Sequence, residues 1–258
     1  MRDSGLQQAI EVAGGVSELA RRIGISQPSV SNWLKIPAER VLMVETATGI
    51  DRAVLRPDLY GAGQSGGDVD EVDSARAQEY ALLSALLARA PNADILQRLS
   101  GLRADANPIG LAHAALAQAA SRIGVERVER EYFDLFIGLG RGELMPYGSY
   151  YLTGFLHERP LARLRADLVT LGIERAEGNV EPEDHAAILC EIMAALAGGR
   201  FPAPKGADRE LFEKHMAPWI GRFFADLERA ETADFYRAVG TLGRVFIDIE
   251  TEAFALPS

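Results

Sequence analysis

Glu181-Pro182-Glu183-Asp184-His185 gathers three carboxylates and an imidazole within five residues. Carboxylates so placed can take guanidinium groups in charge-assisted, bidentate contacts. A proline just inside a helix start, with acid in the first turn, also suits the positive end of a helix dipole. The segment therefore predicts a helix opening at Pro182. The apolar run Ala186, Ala187, Ile188, Leu189, Ile192, Met193, Leu196 continues it to Gly198-Gly199. Spacing alone favours a well-capped helix with a solvated acidic start, so something beyond spacing is needed to make it a site.

Other chemistries find no support. The four histidines (His113, His157, His185, His215) lack metal-ligand spacing to one another, and no metal site is expected. Gly138-Leu-Gly-Arg-Gly142 lacks the lysine and the preceding strand of a phosphate loop. Asp134 with His185 makes no catalytic pair on spacing. Cys190, the single cysteine, falls in the apolar run and reads as a small buried residue. The chain is expected to be no enzyme and to use no cofactor.

A second candidate group lies near the start. Val16 to Ile23, a turn at Gly24-Ile25, and a helix from Gln27 have the spacing of a helix-turn-helix. Ser26 is expected to cap the second of these helices, with Val30, Trp33 and Leu34 buried. Gln27, Ser29, Ser31 and Asn32 would face outward. Gln and Asn can donate and accept at once, as the adenine edge in the major groove requires. Arg21, Arg22 and Lys35 could neutralise phosphates.

Charge divides the chain in the same place. Residues 1–60 hold seven Lys/Arg against seven Asp/Glu, so the rest carries the whole net charge of -10. An acidic body repels nucleic acid and attracts basic peptides. Residues 61–75, rich in glycine and acid, read as a flexible linker between domains at 1–60 and 76–258. With 48% hydrophobic residues, no apolar run long enough to span a bilayer and no signal-peptide pattern at Met1–Gly5, the chain is expected in the cytoplasm without membrane insertion.

Helix signals recur after the linker with almost no strand-like alternation. They fall at 79–89, 92–99, 107–123, 125–137, 150–157, 161–171, 182–197, 208–215, 218–227 and 232–254, with Asn107 and Thr232 as caps. The fold class is all-α: a small helix-turn-helix domain and a larger helical bundle of about 180 residues with one core.

Two resemblances sharpen this. Gly15-Val-Ser-Glu-Leu-Ala-Arg-Arg-Ile-Gly-Ile-Ser-Gln-Pro-Ser-Val-Ser-Asn-Trp33, with Ile36–Val41 and Leu55–Leu59, resembles the YdaS-like, Cro-type DNA-binding domains over residues 4–60. Glu131-Tyr-Phe-Asp-Leu-Phe-Ile-Gly138, Met145–Tyr151, Glu181–His185, His215-Met-Ala-Pro-Trp219 and Phe235-Tyr236 follow the order and approximate spacing of the TorD/DmsD family over 76–256. Leu139 departs from the proline common there. This second resemblance implies a TorD-like chaperone that holds an apo molybdoenzyme catalytic subunit and its twin-arginine signal peptide. It assigns the peptide surface to Tyr132, Leu135, Phe136, Tyr147, Glu181, Pro182, Asp184 and His185. The first implies a DNA partner and a two-fold assembly. The alternative is a transcriptional regulator with the TorD-like domain as sensor or protein-interaction module.

Overall fold

The computed structural model describes residues 3–60, 71–103, 105–174 and 181–256. Among them the backbone is helical, with one isolated antiparallel bridge between Tyr147 and His185. Helices α1 (Ser4–Ala13), α2 (Val16–Arg22), α3 (Gln27–Ser31), α4 (Val41–Thr48), α5 (Arg52–Leu55) and α6 (Pro57–Tyr60) enclose a small core. Leu6, Leu19, Val30, Ile36, Val41, Val44 and Leu55 are its large fully buried members. Each such side chain contributes about 1.5–3 kcal/mol on leaving water. Gly24, at φ 71°, makes the turn between α2 and α3.

Two local expectations fail here. Ser26 makes no cap, because its hydroxyl pairs with Ser29 Oγ at 2.7 Å instead. Leu34 is 69% exposed and Trp33 only half-buried, since α3 ends at Ser31, before either could turn inward.

A separate, larger core is built by α7 (Glu71–Ala88), α8 (Ala93–Ser100), α9 (Pro108–Arg122), α10 (Val125–Tyr132), α11 (Gly148–Thr153), α12 (Arg159–Thr170), α13 (Ala186–Ala197), α14 (Ala207–Leu211), α15 (Ile220–Arg229) and α16 (Phe235–Ala255). α7 packs along α13, and α16 packs on α15 and α9. α15 and α16 approach closely because Gly243 faces the Phe224 ring, where a Cβ would collide. Cys190 is buried in this core, and burial pushes its thiol up to about 12, far from nucleophilic use. No described helix is long and apolar enough to cross a membrane.

The expected linker needs correction at its end: 61–70 lie outside the described residues, whereas 71–75 already belong to α7. Glu71 and Asp73 account for this, as acid favours a first helical turn. Asn107 caps α9 as expected, accepting the Gly110 N–H at 2.8 Å. Thr232 does not cap α16. Its hydroxyl donates to Glu143 Oε2 at 2.6 Å, and the helix starts three residues later. The capping group is the buried Glu131 carboxylate, which accepts the N–H groups of Asp234 (2.8 Å), Phe235 (3.2 Å) and Tyr236 (2.7 Å).

Candidate functional site

Among the described residues two π-helical turns interrupt the bundle, and both fall on segments singled out above. α10 runs on through Phe133–Ile137, where Gly138 N donates to Phe133 O at 2.7 Å, five residues back. α14 does the same through Phe212–Met216, with Ala217 N on Phe212 O at 2.9 Å. Such widened turns re-aim side chains and recur at functional sites. After the first, Gly138 (φ 61°) folds the chain back so tightly that a Cβ there would meet the Arg141 carbonyl. Leu144 N then returns to Leu135 O at 2.8 Å.

The hairpin-like return delivers Pro146–Ser149 to the 181–185 segment. Ala186 N donates to Pro146 O (2.8 Å) and Gly148 N to Asp184 O (2.9 Å). This pairing corrects the expectation of a helix from Pro182. Residues 182–185 form a turn closed by His185 N on Pro182 O (3.0 Å), and α13 begins at Ala186. His185 is the cap, its Nδ1 accepting the Ala187 N–H at 3.1 Å. An accepting Nδ1 requires a neutral ring. Burial lowers the His185 pKa, against the pull of Glu181 and Asp184 in the opposite direction. His185 is therefore no direct contact for a guanidinium.

On one side of this bridge Tyr147 stacks edge-on against His185, with ring centroids 5.0 Å apart, and donates its hydroxyl to Glu181 Oε2 at 2.7 Å. Burial, then Glu181, raises the Tyr147 phenol well above its ordinary value. Burial and Glu181 together push Tyr132 up to about 12. Tyr132 donates to Leu87 O (3.2 Å) and packs on Phe136 and Tyr236. Tyr132, Phe136, Tyr147, Glu181 and Pro182 are all half-buried. Leu135 departs from its expected role on the peptide face: it is 0% exposed and belongs to the core, because the widened turn points it inward.

Asp184 serves another side. It is 3% exposed, its Oδ2 accepts the Ser149 N–H at 2.7 Å, and it lines a cavity of about 420 Å3 with Gly148, Leu152, Arg163, Lys214 and His215. There His215 Nε2 meets Asp167 Oδ2 at 2.8 Å, holding the Asp167 carboxyl below its usual range. Trp219 donates to His215 O at 2.7 Å and packs under Gly148. Glu183 is engaged by Arg165 at 2.8 Å at the edge of a further cleft of about 640 Å3 between α12 and α13.

Phe133, Ile137 and Leu139, at 37%, 54% and 98% exposure, continue the Tyr132–Phe136 surface and were not among the residues assigned to it from the sequence. Phe133 and Ile137 hide in an apolar run that reads as core. Leu139 had a signal, the missing proline after Gly138. Among the described residues no three His, Cys, Asp or Glu side chains converge as a metal would require.

In the helix-turn-helix, Arg21, Arg22, Gln27, Ser29, Asn32 and Lys35 are exposed, whereas Ser31 is half-buried and accepts the Gln27 amide at 2.7 Å. Arg21 Nε is held by Glu18 Oε2 at 3.0 Å, and Arg22 Nε lies 3.4 Å from Glu18 Oε1. The Arg21 hydrogen bond leads in keeping Glu18 near a pKa of about 2.

The fold and these segments define an all-helical protein with two parts of different kinship. The nitrate reductase delta subunit family matches residues 102–225, and the bacterial toxin YdaS family matches residues 6–64. Chaperone protein TorD of Vibrio cholerae serotype O1 is 26% identical over 199 residues, covering 68% of this chain and 90% of its own length. The "Probable Tat proofreading chaperone DmsD" of Haemophilus influenzae is 31% identical over 119 residues, 45% of this chain and 57% of its own. The candidate transcriptional regulator YdaS of Escherichia coli (strain K12) is 44% identical over 59 residues, 20% of this chain and 60% of its own. The motif resemblances are thus borne out in both parts: this chain is similar to TorD and DmsD chaperones after the acidic stretch and to YdaS before it.

Proposed function

We propose that this chain is a non-catalytic cytoplasmic chaperone that binds the apo form of a molybdenum-cofactor oxidoreductase together with its twin-arginine signal peptide. The observation that carries the reading is the surface of Phe133, Tyr132, Phe136, Ile137 and Leu139 beside the Tyr147–Glu181 pair. Exposed apolar residues next to a carboxylate suit a segment in which arginines precede an apolar stretch. The relatives named as chaperones support the same reading. Calorimetric titration of the full chain with a twin-arginine signal peptide should give saturable heat. Glu181→Lys should weaken that binding by about tenfold or more through like-charge repulsion, and Leu139→Ser should weaken it less. Absence of heat, or equal affinity for the Glu181→Lys variant, would defeat the reading.

A second reading rests on the exposed Gln27, Ser29, Asn32 and Lys35 of the helix-turn-helix, which suit major-groove contact. In it the chain regulates transcription, with the chaperone-like part as sensor. A two-fold DNA site would then be read by a homodimer. A sequence-specific gel shift lost on Gln27→Ala with Asn32→Ala would support it.

A further inference from the structure

The cavity bordered by α12, the Gly148 turn and the π-helical segment 212–216 carries two complementary unsatisfied groups. Among its lining residues, Asp184 has a buried Oδ1 with no hydrogen-bond partner among the described residues, while Ser149, behind the lining, holds the other carboxylate oxygen through its N–H. At its edge, Asp167 is answered by His215 and by Lys214 at 3.8 Å, and Lys214 also pairs with Glu210. Arg163, exposed on α12, pairs with no carboxylate among the described residues. Leu152, Pro160 and Leu164 form an apolar wall. A buried carboxylate oxygen without a donor is strongly disfavoured. At about 420 Å3 the space far exceeds the roughly 30 Å3 of one water molecule.

We propose that this cavity binds a basic amino-acid zwitterion, its cationic head donating to Asp184, its aliphatic stem along Leu152, Pro160 and Leu164, and its carboxylate on Arg163. Two sources carry this chemistry, a free basic amino acid and the C-terminal Arg or Lys of a peptide. An arginine inside a signal peptide does not, because it has no carboxylate to offer Arg163. The cavity is therefore a site separate from the Tyr147–Glu181 surface, and it stands or falls independently of the peptide reading.

The test is calorimetry on the full chain with L-arginine and L-lysine, against agmatine (no carboxylate), citrulline (no charged head), and a short peptide ending in arginine as free acid or amide. At least one of the two amino acids or the free-acid peptide should bind. Agmatine, citrulline and the amide should each be weaker by about tenfold or more, the factor expected for one charge-assisted contact. Whichever of amino acid or free-acid peptide binds tighter identifies the source. Arg163→Gln, a surface change that leaves folding intact, should weaken the carboxylate-bearing ligands and leave agmatine unchanged. Asp184→Asn should abolish binding of all, with circular dichroism checking that the variant folds. Binding by none, equal binding of agmatine and L-arginine, or L-arginine affinity unmoved by Arg163→Gln would each overturn the assignment.

Discussion

Replacing Glu131 by Ala should be among the most destabilising single changes in the chain, although this residue opens a motif read as part of a binding surface. Its carboxylate is 6% exposed and accepts three backbone N–H groups at the start of α16. Those groups have no intrahelical partner, and the negative charge also meets the positive end of the 21-residue helix. The bonds to Phe235 and Tyr236 are buried, while that to Asp234 is within reach of water. Each buried donor left unpaired costs about 1–3 kcal/mol, so two give about 2–6 kcal/mol. For a domain of this size, each kcal/mol lowers the melting temperature by about 2–4 °C, which puts the expected loss between roughly 4 and 24 °C. Glu131→Gln keeps one carbonyl oxygen and should fall between. Thr232→Ala, at the position that sequence spacing favours as the cap, should cost less than about 1 kcal/mol because its hydroxyl meets an exposed Glu143. Urea unfolding followed by circular dichroism and by the fluorescence of the buried Trp219 would measure all three. If Glu131→Ala lies within about 1 kcal/mol of the parent, or Thr232→Ala costs more, the capping argument is wrong.

Two further perturbations test the electrostatics. His113 on α9 meets Glu79 on α7 at 2.7 Å, off the ideal hydrogen-bond angle, and Glu79 raises the His113 pKa above its ordinary 6.5. A raised folded value means the pair's stabilisation is complete below 6.5 and is lost as pH climbs through the higher value. The stability difference between parent and His113→Gln should shrink with rising pH over that window. A difference constant with pH would refute the pairing. On the regulator reading, Glu18→Gln should release Arg21 and Arg22 toward phosphates, strengthen DNA binding, and steepen the slope of log K against log salt by about one to two units. An unchanged slope would show that neither arginine faces the backbone of bound DNA.

Much of the architecture was legible because its signals are local. Asn107-Pro108 starts α9 as its residue types require, and Gly24 turns the helix-turn-helix. What escaped was decided by distant partners. Nothing around residue 235 announces that Glu131, 104 residues away from Phe235, will cap α16 and relieve Thr232 of that role. Leu135 and Phe136 are adjacent apolar residues with the same apparent claim to a surface. The π-helical turn, invisible to a 3.6-residue periodicity, separates them into core and half-buried ring.

The 181–185 segment carries the most consequential difference. Read as a helix, Glu181, Asp184 and His185 stand three and four residues apart and share one face, which makes them a single carboxylate–imidazole cluster. With residues 182–185 in a turn and His185 bridged to Tyr147, these side chains part instead. His185 then meets Tyr147, which is bound to Glu181, while Asp184 turns to Ser149 and the cavity under α12. The turn in place of a helix thus splits a single expected site into two.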